Sequence, residues 1–169
     1  WISTNVDKAA DGTNPTAVDG TDARNDGTAR AFTETMLKNV MQKAYTAGGN
    51  PSILMVGPYN KTVVSTFTGI AAQRFQAPSD GPTTIIGAAD IYMSDFGSLT
   101  VVPNRFSRER DAWCLDPEYA SVATLRPIQA IDLAKTGDAD KKMLISESGV
   151  MMKNEAAHGL IADLTIAAP

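Results

Sequence analysis

The sequence holds little of the side-chain chemistry on which most enzymes depend. Its 169 residues include one cysteine and one histidine. A single cysteine excludes a disulfide within the chain and a metal cluster built of cysteines alone, and it suits a reducing compartment. Because no Lys, Arg or His immediately flanks Cys114, nothing local stabilises a thiolate there. We therefore expect a small, buried and unreactive thiol.

Basic residues and long apolar runs are also scarce. The 15 Lys and Arg against 19 Asp and Glu give a net charge of -4. This balance argues against a module that binds nucleic acid through a basic face. No run approaches the roughly 18 apolar residues of a membrane span, and the N-terminus lacks the pattern of a signal peptide. We expect no sequence-specific nucleic-acid binding and no membrane association. Since the first residue is Trp1 and not Met, we expect the chain to be part of a longer protein.

Residues 6 to 31 are rich in Asp, Gly, Thr, Asn and Ala, and valine supplies their only large apolar side chains. Three Asp-Gly steps permit tight reversals, and the segment has too little apolar surface to offset the entropy lost on ordering. An EF-hand calcium loop does not fit, because no Glu stands at the twelfth position after any of these aspartates. The composition therefore predicts a long, exposed and mobile loop.

The next part of the chain predicts helices around a strand. A helix is expected from Thr33 as N-cap to Gly48-Gly49. A short apolar strand at 53–56, covered on both faces, should follow, and then a second helix from Pro58 to Gly69. The first helix should have an apolar face, because suitable residues recur at helical spacing: Met36, Leu37, Val40, Met41, Ala44 and Tyr45.

The remainder predicts mostly β-structure. After a connection at 71–84 and an apolar pair at 85–86, we expect a hairpin whose turn is Phe96-Gly97. Short strands or buried pieces are predicted at 113–115, 122–125 and 143–145, separated by turns. Segments 150–152 and 160–164 are predicted to form a final strand pair around a turn at 154–159.

Three residues are the candidates for catalysis, and none has the partners that catalysis requires. His158 lies in a polar turn without the further ligands of a zinc site or the rest of a triad. Asp138 and Glu147 lie in or near a turn beside lysines, where local charge pairing accounts for them. No phosphate-binding loop, dinucleotide motif or nucleophile elbow occurs. We expect no cofactor and no metal.

An ordered series of segments indicates a protein family, which composition alone does not. They are WISTN at 1–5, the long helix-containing segment FTETMLKNVMQKAYTAGGNPSILMVGPYNKTVVSTFTG, then IYMSDFGSLTVVPNRF, LDPEYASVATLRP, LAKTGDADKKMLISE and KNEAAHGLIADL. Arg126-Pro127, AKTGD at 134–138 and NEAAHG at 154–159 are the most specific. From about Thr33 to Leu164 the chain resembles the tailed-bacteriophage major capsid proteins.

This resemblance implies the α+β fold shared by tailed phages and herpesvirus shell floors. That fold has an axial lobe, in which helices pack on a mixed sheet, and a β-rich peripheral lobe. We expect this chain to contain the axial-type lobe and part of the peripheral-type lobe. We expect residues 1–32 to form a flexible lead-in, 33–110 mainly the axial-type lobe, and 111–169 a β-rich contribution to the peripheral-type lobe. Members of the family also carry an N-terminal arm, an extended loop and a spine helix upstream of the matched region.

The resemblance further implies a structural shell subunit and not an enzyme. We expect it to be made in the bacterial host cytoplasm, to reside in the virion, and to assemble with copies of itself into pentamers and hexamers. Scaffold or portal proteins are further expected partners. The candidate inter-subunit contacts, for which solvated surface is the alternative, are Arg105, Arg108, Arg110 and Arg126.

Two other classes of function stay open at this point. One is another virion protein, such as a tail-tube or decoration subunit, for which a β-barrel would be expected. The other is a hydrolase that uses Asp138, Glu147 or His158, which would require a pocket that gathers these side chains.

Overall fold

The computed structural model describes residues 3–16, 21–67, 91–135 and 137–167. Within these ranges the chain has a mixed α+β structure, with two short 3₁₀ turns at Pro117–Tyr119 and Glu155–Ala157. In chain order the strands and helices are β1 (Val6–Asp7), α1 (Glu34–Thr46), β2 (Ile53–Val56), α2 (Pro58–Val64), β3 (Ile91–Ser94), β4 (Gly97–Pro103), β5 (Ala112–Leu115), β6 (Ala120–Asp132), β7 (Lys142–Met152) and β8 (Gly159–Ile161).

The chain divides into two compact units. Unit 1 consists of Trp1–Pro117 and Asn154–Pro169, and unit 2 is Glu118–Lys153. Strands β5 and β8, which follow residue 110, pair with each other and with other strands of unit 1. The predicted lobe boundary after residue 110 stays a prediction. Only the residues between these two strands form a separate β-structure. The assignment of the units to axial-type and peripheral-type lobes stays a prediction.

Unit 1 is built on a mixed six-stranded sheet with the order β1-β8-β5-β2-β4-β3. β1 runs parallel to β8, and β2 runs parallel to β4, while the other neighbours are antiparallel. The parallel pairing of β2 with β4 is made possible by the long connection between them, which includes α2, since parallel neighbours cannot be joined by a tight turn. The sheet therefore draws its strands from both ends of the chain.

The main core of unit 1 lies between this sheet and both helices. Leu37, Val40 and Met41 of α1 join Val64 of α2 in one cluster of buried side chains. The same cluster contains Leu54 and Val56 of β2, which are fully buried. Because α1 and α2 contribute to one cluster, they cover the same face of the sheet. The predicted arrangement with β2 between the two helices is corrected in this respect.

The other face of the sheet carries a smaller apolar cluster. Leu160 and Ala162 are buried there, with Val6, Trp113 and Leu115 packed against them. On β2 the residues that alternate with the buried ones, Ile53 and Met55, are only half-buried. The prediction that β2 is covered on both faces is therefore wrong on one side, since a four-residue apolar run does not distinguish one covered face from two.

Helix α1 follows its sequence pattern closely. Thr33 occupies the N-cap position with an extended backbone, although its side chain makes no capping hydrogen bond. At the other end Gly48 takes a left-handed φ of 86°, which glycine adopts without strain. Tyr45 was predicted to face inward but is exposed, and its ring packs against Phe96 at a centroid distance of 5.3 Å.

Helix α2 is shorter than predicted. It begins at Pro58, where the missing N–H of proline leaves no hydrogen bond unmade, and ends at Val64. Phe67 is nevertheless buried, with its ring edge-on to that of Phe32. The expected end at Gly69, the connection at 71–84 and the apolar pair at 85–86 lie outside the described residues.

The predicted hairpin is present as β3 and β4, with Ser94 paired to Gly97. The turn residues are therefore Asp95 and Phe96, one position earlier than predicted. Unit 2 is a second, longer hairpin formed by β6 and β7. Its register shifts on both sides of Arg126, next to Pro127, which has no N–H to donate to the ladder.

The predicted final strand pair is wrong. Residues 150–152 belong to β7 and pair with 120–122, whereas β8 pairs with β5 and β1. The 154–159 segment is not a hairpin turn, because the Asn154 side chain accepts a hydrogen bond from the Ala156 N–H and starts a 3₁₀ turn. Local turn signals at 154–159 did not indicate which strands would be joined.

Candidate functional site

A buried ion pair fastens the beginning of the chain to its end. The Asp163 carboxylate accepts hydrogen bonds from Arg24 Nη1 at 2.7 Å and from Arg24 Nη2 at 2.5 Å. It also accepts the backbone N–H groups of Gly27 and Ala9, each at 3.0 Å. Both side chains of the pair are almost completely buried. Burial alone would raise the pKa of Asp163, but these donors lower it to about 2.

This arrangement adds fixed points to the predicted loop at 6–31, most of whose described residues are exposed, as expected. Its mobility stays a prediction. The described part of the segment has little regular structure, yet Gly12 and Gly27 are buried beside Asp11 and Asp163. The Asp11 carboxylate accepts hydrogen bonds from the backbone and hydroxyl of Thr28, which lower its pKa. The aspartates therefore serve as acceptors that fix the loop, a role that composition did not reveal.

Two of the four predicted contact arginines belong to a neighbouring charge cluster. Arg108 and Arg110 both pair with Asp26, and Arg110 also donates to the Gly27 carbonyl at 2.7 Å. The hydrogen bond from Arg108 lowers the pKa of Asp26. Arg108 and Arg110 thus have partners within their own chain, and a role between subunits stays a prediction.

Asp111 completes this cluster as a buried carboxylate. Its nearest cation is Arg108, with 3.6 Å between Nη1 and Oδ2. Within the described residues neither of its oxygens accepts a hydrogen bond, and burial raises its pKa. Burying a charge is costly unless it is paired, so the nearby arginines are needed to keep this group in place.

The other two predicted contact arginines are more exposed. Arg126 on β6 pairs with Glu147 on β7, with 3.1 Å between Arg126 Nε and Glu147 Oε2. Arg105 is exposed, and it makes no ion pair with any residue in the described ranges. Of the four candidates it is the one that has no ion pair among the described residues.

The catalytic candidates do not form a site in the described structure. His158 is fully buried in unit 1, where its Nδ1 accepts a hydrogen bond from the Asp116 N–H at 3.1 Å. Burial lowers its pKa, so the ring is neutral at pH 7. Asp138 and Glu147 lie in unit 2, where Asp138 is exposed and Glu147 is bound by Arg126.

Cys114 and Glu155 also have structural surroundings. Burial raises the pKa of the Cys114 thiol to about 12, so the residue is not a nucleophile at neutral pH. Glu155 accepts hydrogen bonds from the backbone and hydroxyl groups of Ser3 and Thr4. Among the described residues no cluster of His, Cys, Asp and Glu could hold a metal ion, and no helix there is long and apolar enough to cross a membrane.

The most unusual surface is the hairpin of unit 2, which we call the ribbon (β6 and β7). Its two strands carry large apolar side chains that are exposed on a two-stranded structure without a core of its own. Exposure reaches 80% for Leu125 and Val150, and Val122 and Val150 are paired on one face. An isolated two-stranded hairpin is marginally stable at best, and exposed apolar patches mark contact surfaces. The other large apolar side chains exposed in unit 2 are Ile128, Ile131, Leu133, Met143, Leu144, Met151 and Met152.

Comparison with known proteins places the chain among the viral major capsid proteins. It belongs to the SU10 major capsid protein family, whose model matches residues 1–165. Among solved structures, one titled as the virus-like particle from Pyrococcus furiosus is similar at 14% identity with a TM-score of 0.41. That match covers 79% of this chain and 55% of the other, so this chain spans about half the length of that protein. No curated protein matches the chain.

Proposed function

We propose that this chain is part of the structural subunit of a bacteriophage capsid shell. The observation that carries the proposal is the match of a major capsid protein family over residues 1–165. In this proposal copies of the subunit associate through their edges into pentamers and hexamers, in the virion, after synthesis in the host cytoplasm. Scaffold and portal proteins are further proposed partners.

The two units have features that suit the two lobes of such a subunit. Unit 1 has a sheet, two helices and a buried charge network, features that suit a rigid lobe. We assign it to the axial-type lobe. Unit 2 is an apolar ribbon that requires cover from other structure, and we assign it to the peripheral-type lobe. In the proposed subunit, cover comes from segments of the same protein outside this chain or from a neighbouring copy.

The competing functions have less support. A tail-tube or decoration subunit does not agree with the family match, and unit 1 is a sheet with helices on one face and not a barrel. For a hydrolase, the candidate residues would have to act together. Instead His158 and Cys114 are buried in unit 1, and Asp138 and Glu147 lie in unit 2.

The experiment is density-gradient sedimentation of the full-length protein produced alone in bacteria, followed by electron microscopy of the fast fraction. Shells or capsomers are the expected result. Alanine substitution of His158, Cys114, Asp138 and Glu147 in turn should remove no turnover, and any loss should concern folding or assembly. A turnover that one of these substitutions removes, with the fold intact, would overturn the proposal.

A further inference from the structure

The turn between β4 and β5, residues 104–110, differs from the other surfaces of unit 1. It lies at the end of the sheet where β2 and β4 terminate, since the Asn104 N–H donates to the Val56 carbonyl at 2.8 Å. Pro117 and Asn154, where the chain leaves and re-enters unit 1, follow β5 and precede β8 at the opposite end of the sheet. The turn therefore lies at the tip of unit 1 opposite to Pro117 and Asn154.

Phe106 at the centre of this turn is 91% exposed. The backbone beneath it is fixed, because the Phe106 N–H donates to Asn104 Oδ1 at 2.9 Å and Ser107 Oγ donates to the Asn104 carbonyl at 3.0 Å. Arg108 and Arg110 tie the following residues to Asp26. A single exposed apolar side chain is ordinary. An aromatic ring on a fixed turn beside an arginine, however, has the composition of an interface hot spot and loses little entropy on binding.

A depression that suits this ring lies on the same tip. Its volume is about 310 Å³, and a cavity of about 150 Å³ already accepts a benzene ring. Ile166, half-exposed, forms part of its wall, and Arg110 is also a lining residue. Arginine is a residue type that packs favourably against aromatic rings. We call this surface the Ile166 depression. Its lining residues are Ala29, Arg110, Leu164, Thr165, Ile166 and Ala167.

We propose that Phe106 of one copy binds in the Ile166 depression of the next copy around a ring. This inference rests on the proposed shell function and names one of the contacts between neighbouring copies in its capsomers. Two different patches on one subunit form a head-to-tail contact, which closes into a ring when the rotation between copies permits. A second copy is the occupant that the capsid family match favours, since a shell subunit associates with copies of itself. Arg105, which has no ion pair among the described residues, is opposite in sign to the chain's net charge of -4.

Engineered cysteines test this contact directly. Cys114 is the only native cysteine and is buried, so it does not interfere. The double variant Phe106→Cys/Ile166→Cys of the full-length protein is assembled, oxidised and separated without reductant. We expect a ladder of cross-linked species that ends at five or six copies. Either single variant should stay monomeric on the gel, and so should Phe106→Cys with Ile91→Cys, since Ile91 matches Ile166 in exposure at 53% against 51%.

Three outcomes would overturn the contact: particles without a ladder, cross-linking of Phe106→Cys to itself, or an equal ladder from the Ile91 control. Absence of particles from the unmodified protein would overturn the proposed function and this contact with it. As an independent readout, Phe106→Ala should reduce capsomer formation at least tenfold while the melting temperature stays unchanged, whereas Ile91→Ala should do neither.

Discussion

Asp163 combines a left-handed backbone conformation with a buried ion pair. Its φ is 62°, in the left-handed region that Asp and Asn tolerate better than other non-glycine residues. Its carboxylate is fully buried and binds Arg24, which is itself almost inaccessible to water. The residue therefore both shapes the chain after β8 and fixes residues 9, 24 and 27 of the irregular N-terminal segment.

Replacing Asp163 by Asn should unfold the protein more easily while preserving the backbone geometry. The substitution removes the fully buried carboxylate that pairs with Arg24 and leaves Asp26, 2.8 Å from Arg24 Nη1, as its charged partner. Breaking a buried pair typically costs roughly 3–5 kcal/mol, and because one pair remains we expect a loss near the lower end of this range. Asp140→Asn is the matched control, because its pair with Lys135 is exposed and such pairs contribute about 0–1 kcal/mol. Chemical denaturation of both variants measures the difference. Equal losses would show that the buried pair has no special role.

The same residue predicts a pH dependence. The folded pKa of Asp163, about 2, lies below its ordinary value of 3.8, so its ionised form stabilises the fold. This contribution is complete above about pH 4 and is lost as the pH falls through about 2. The difference in unfolding free energy between the unmodified protein and Asp163→Asn should therefore shrink between pH 4 and pH 2. Asp111 acts in the opposite direction, since burial raises its pKa and its stabilising effect falls as the pH rises above 3.8.

At the scale of elements, local patterns were predictive and distant partners were not. The periodicity of α1 identified its buried face because that information lies within one helix. The order of the sheet, in contrast, depends on β8 pairing with β1, more than 150 residues away along the chain. Of the Asp-Gly steps in the described residues, Asp11-Gly12 lies at a turn, as predicted, and Asp26-Gly27 does not. Nothing local indicated that Asp163 would bind Arg24, or that Arg108 would bind Asp26.

Two glycines provide an element-level prediction. A Cβ on Gly49, just after α1, would lie 2.5 Å from the backbone of Ala157 in the 3₁₀ turn, which cannot move aside as a side chain can. Gly49→Ala should therefore destabilise unit 1 by about 1–3 kcal/mol. Gly149→Ala on β7 is the control, because nothing described lies within 4 Å of its added Cβ. Thermal unfolding that ranks the two variants in the reverse order would contradict the packing of α1 on this turn.

The ribbon gives a prediction that separates folding from assembly. Leu125 and Leu144 are exposed, so changing either to Gln should leave the melting temperature of unit 1 unchanged. If the ribbon is covered in the particle, each change should strongly reduce particle yield in the full-length protein. Thr124→Gln, at an exposed polar position of β6, is the matched control. Normal particle yield from both leucine variants would mean that this surface stays open to solvent.

At the scale of the whole molecule, folding and assembly should be separable. Unit 1 has enough buried apolar surface for its own core, whereas the ribbon has none in the described structure. We therefore expect the 169-residue chain alone to fold and to stay a monomer or small oligomer under conditions where the full-length protein assembles. Native mass spectrometry at micromolar concentration checks this. Well-formed pentamers or hexamers of the chain alone would show that unit 1 closes the ring without further segments.

The central claim, that this chain belongs to the subunit of a capsid shell, is tested most directly by cryo-electron microscopy of particles assembled from the full-length protein. The predicted result is a closed shell in which residues 1–165 repeat around fivefold and sixfold positions, with the ribbon covered by other protein density. Open helical tubes, or a preparation that contains only monomers under every assembly condition, would contradict it.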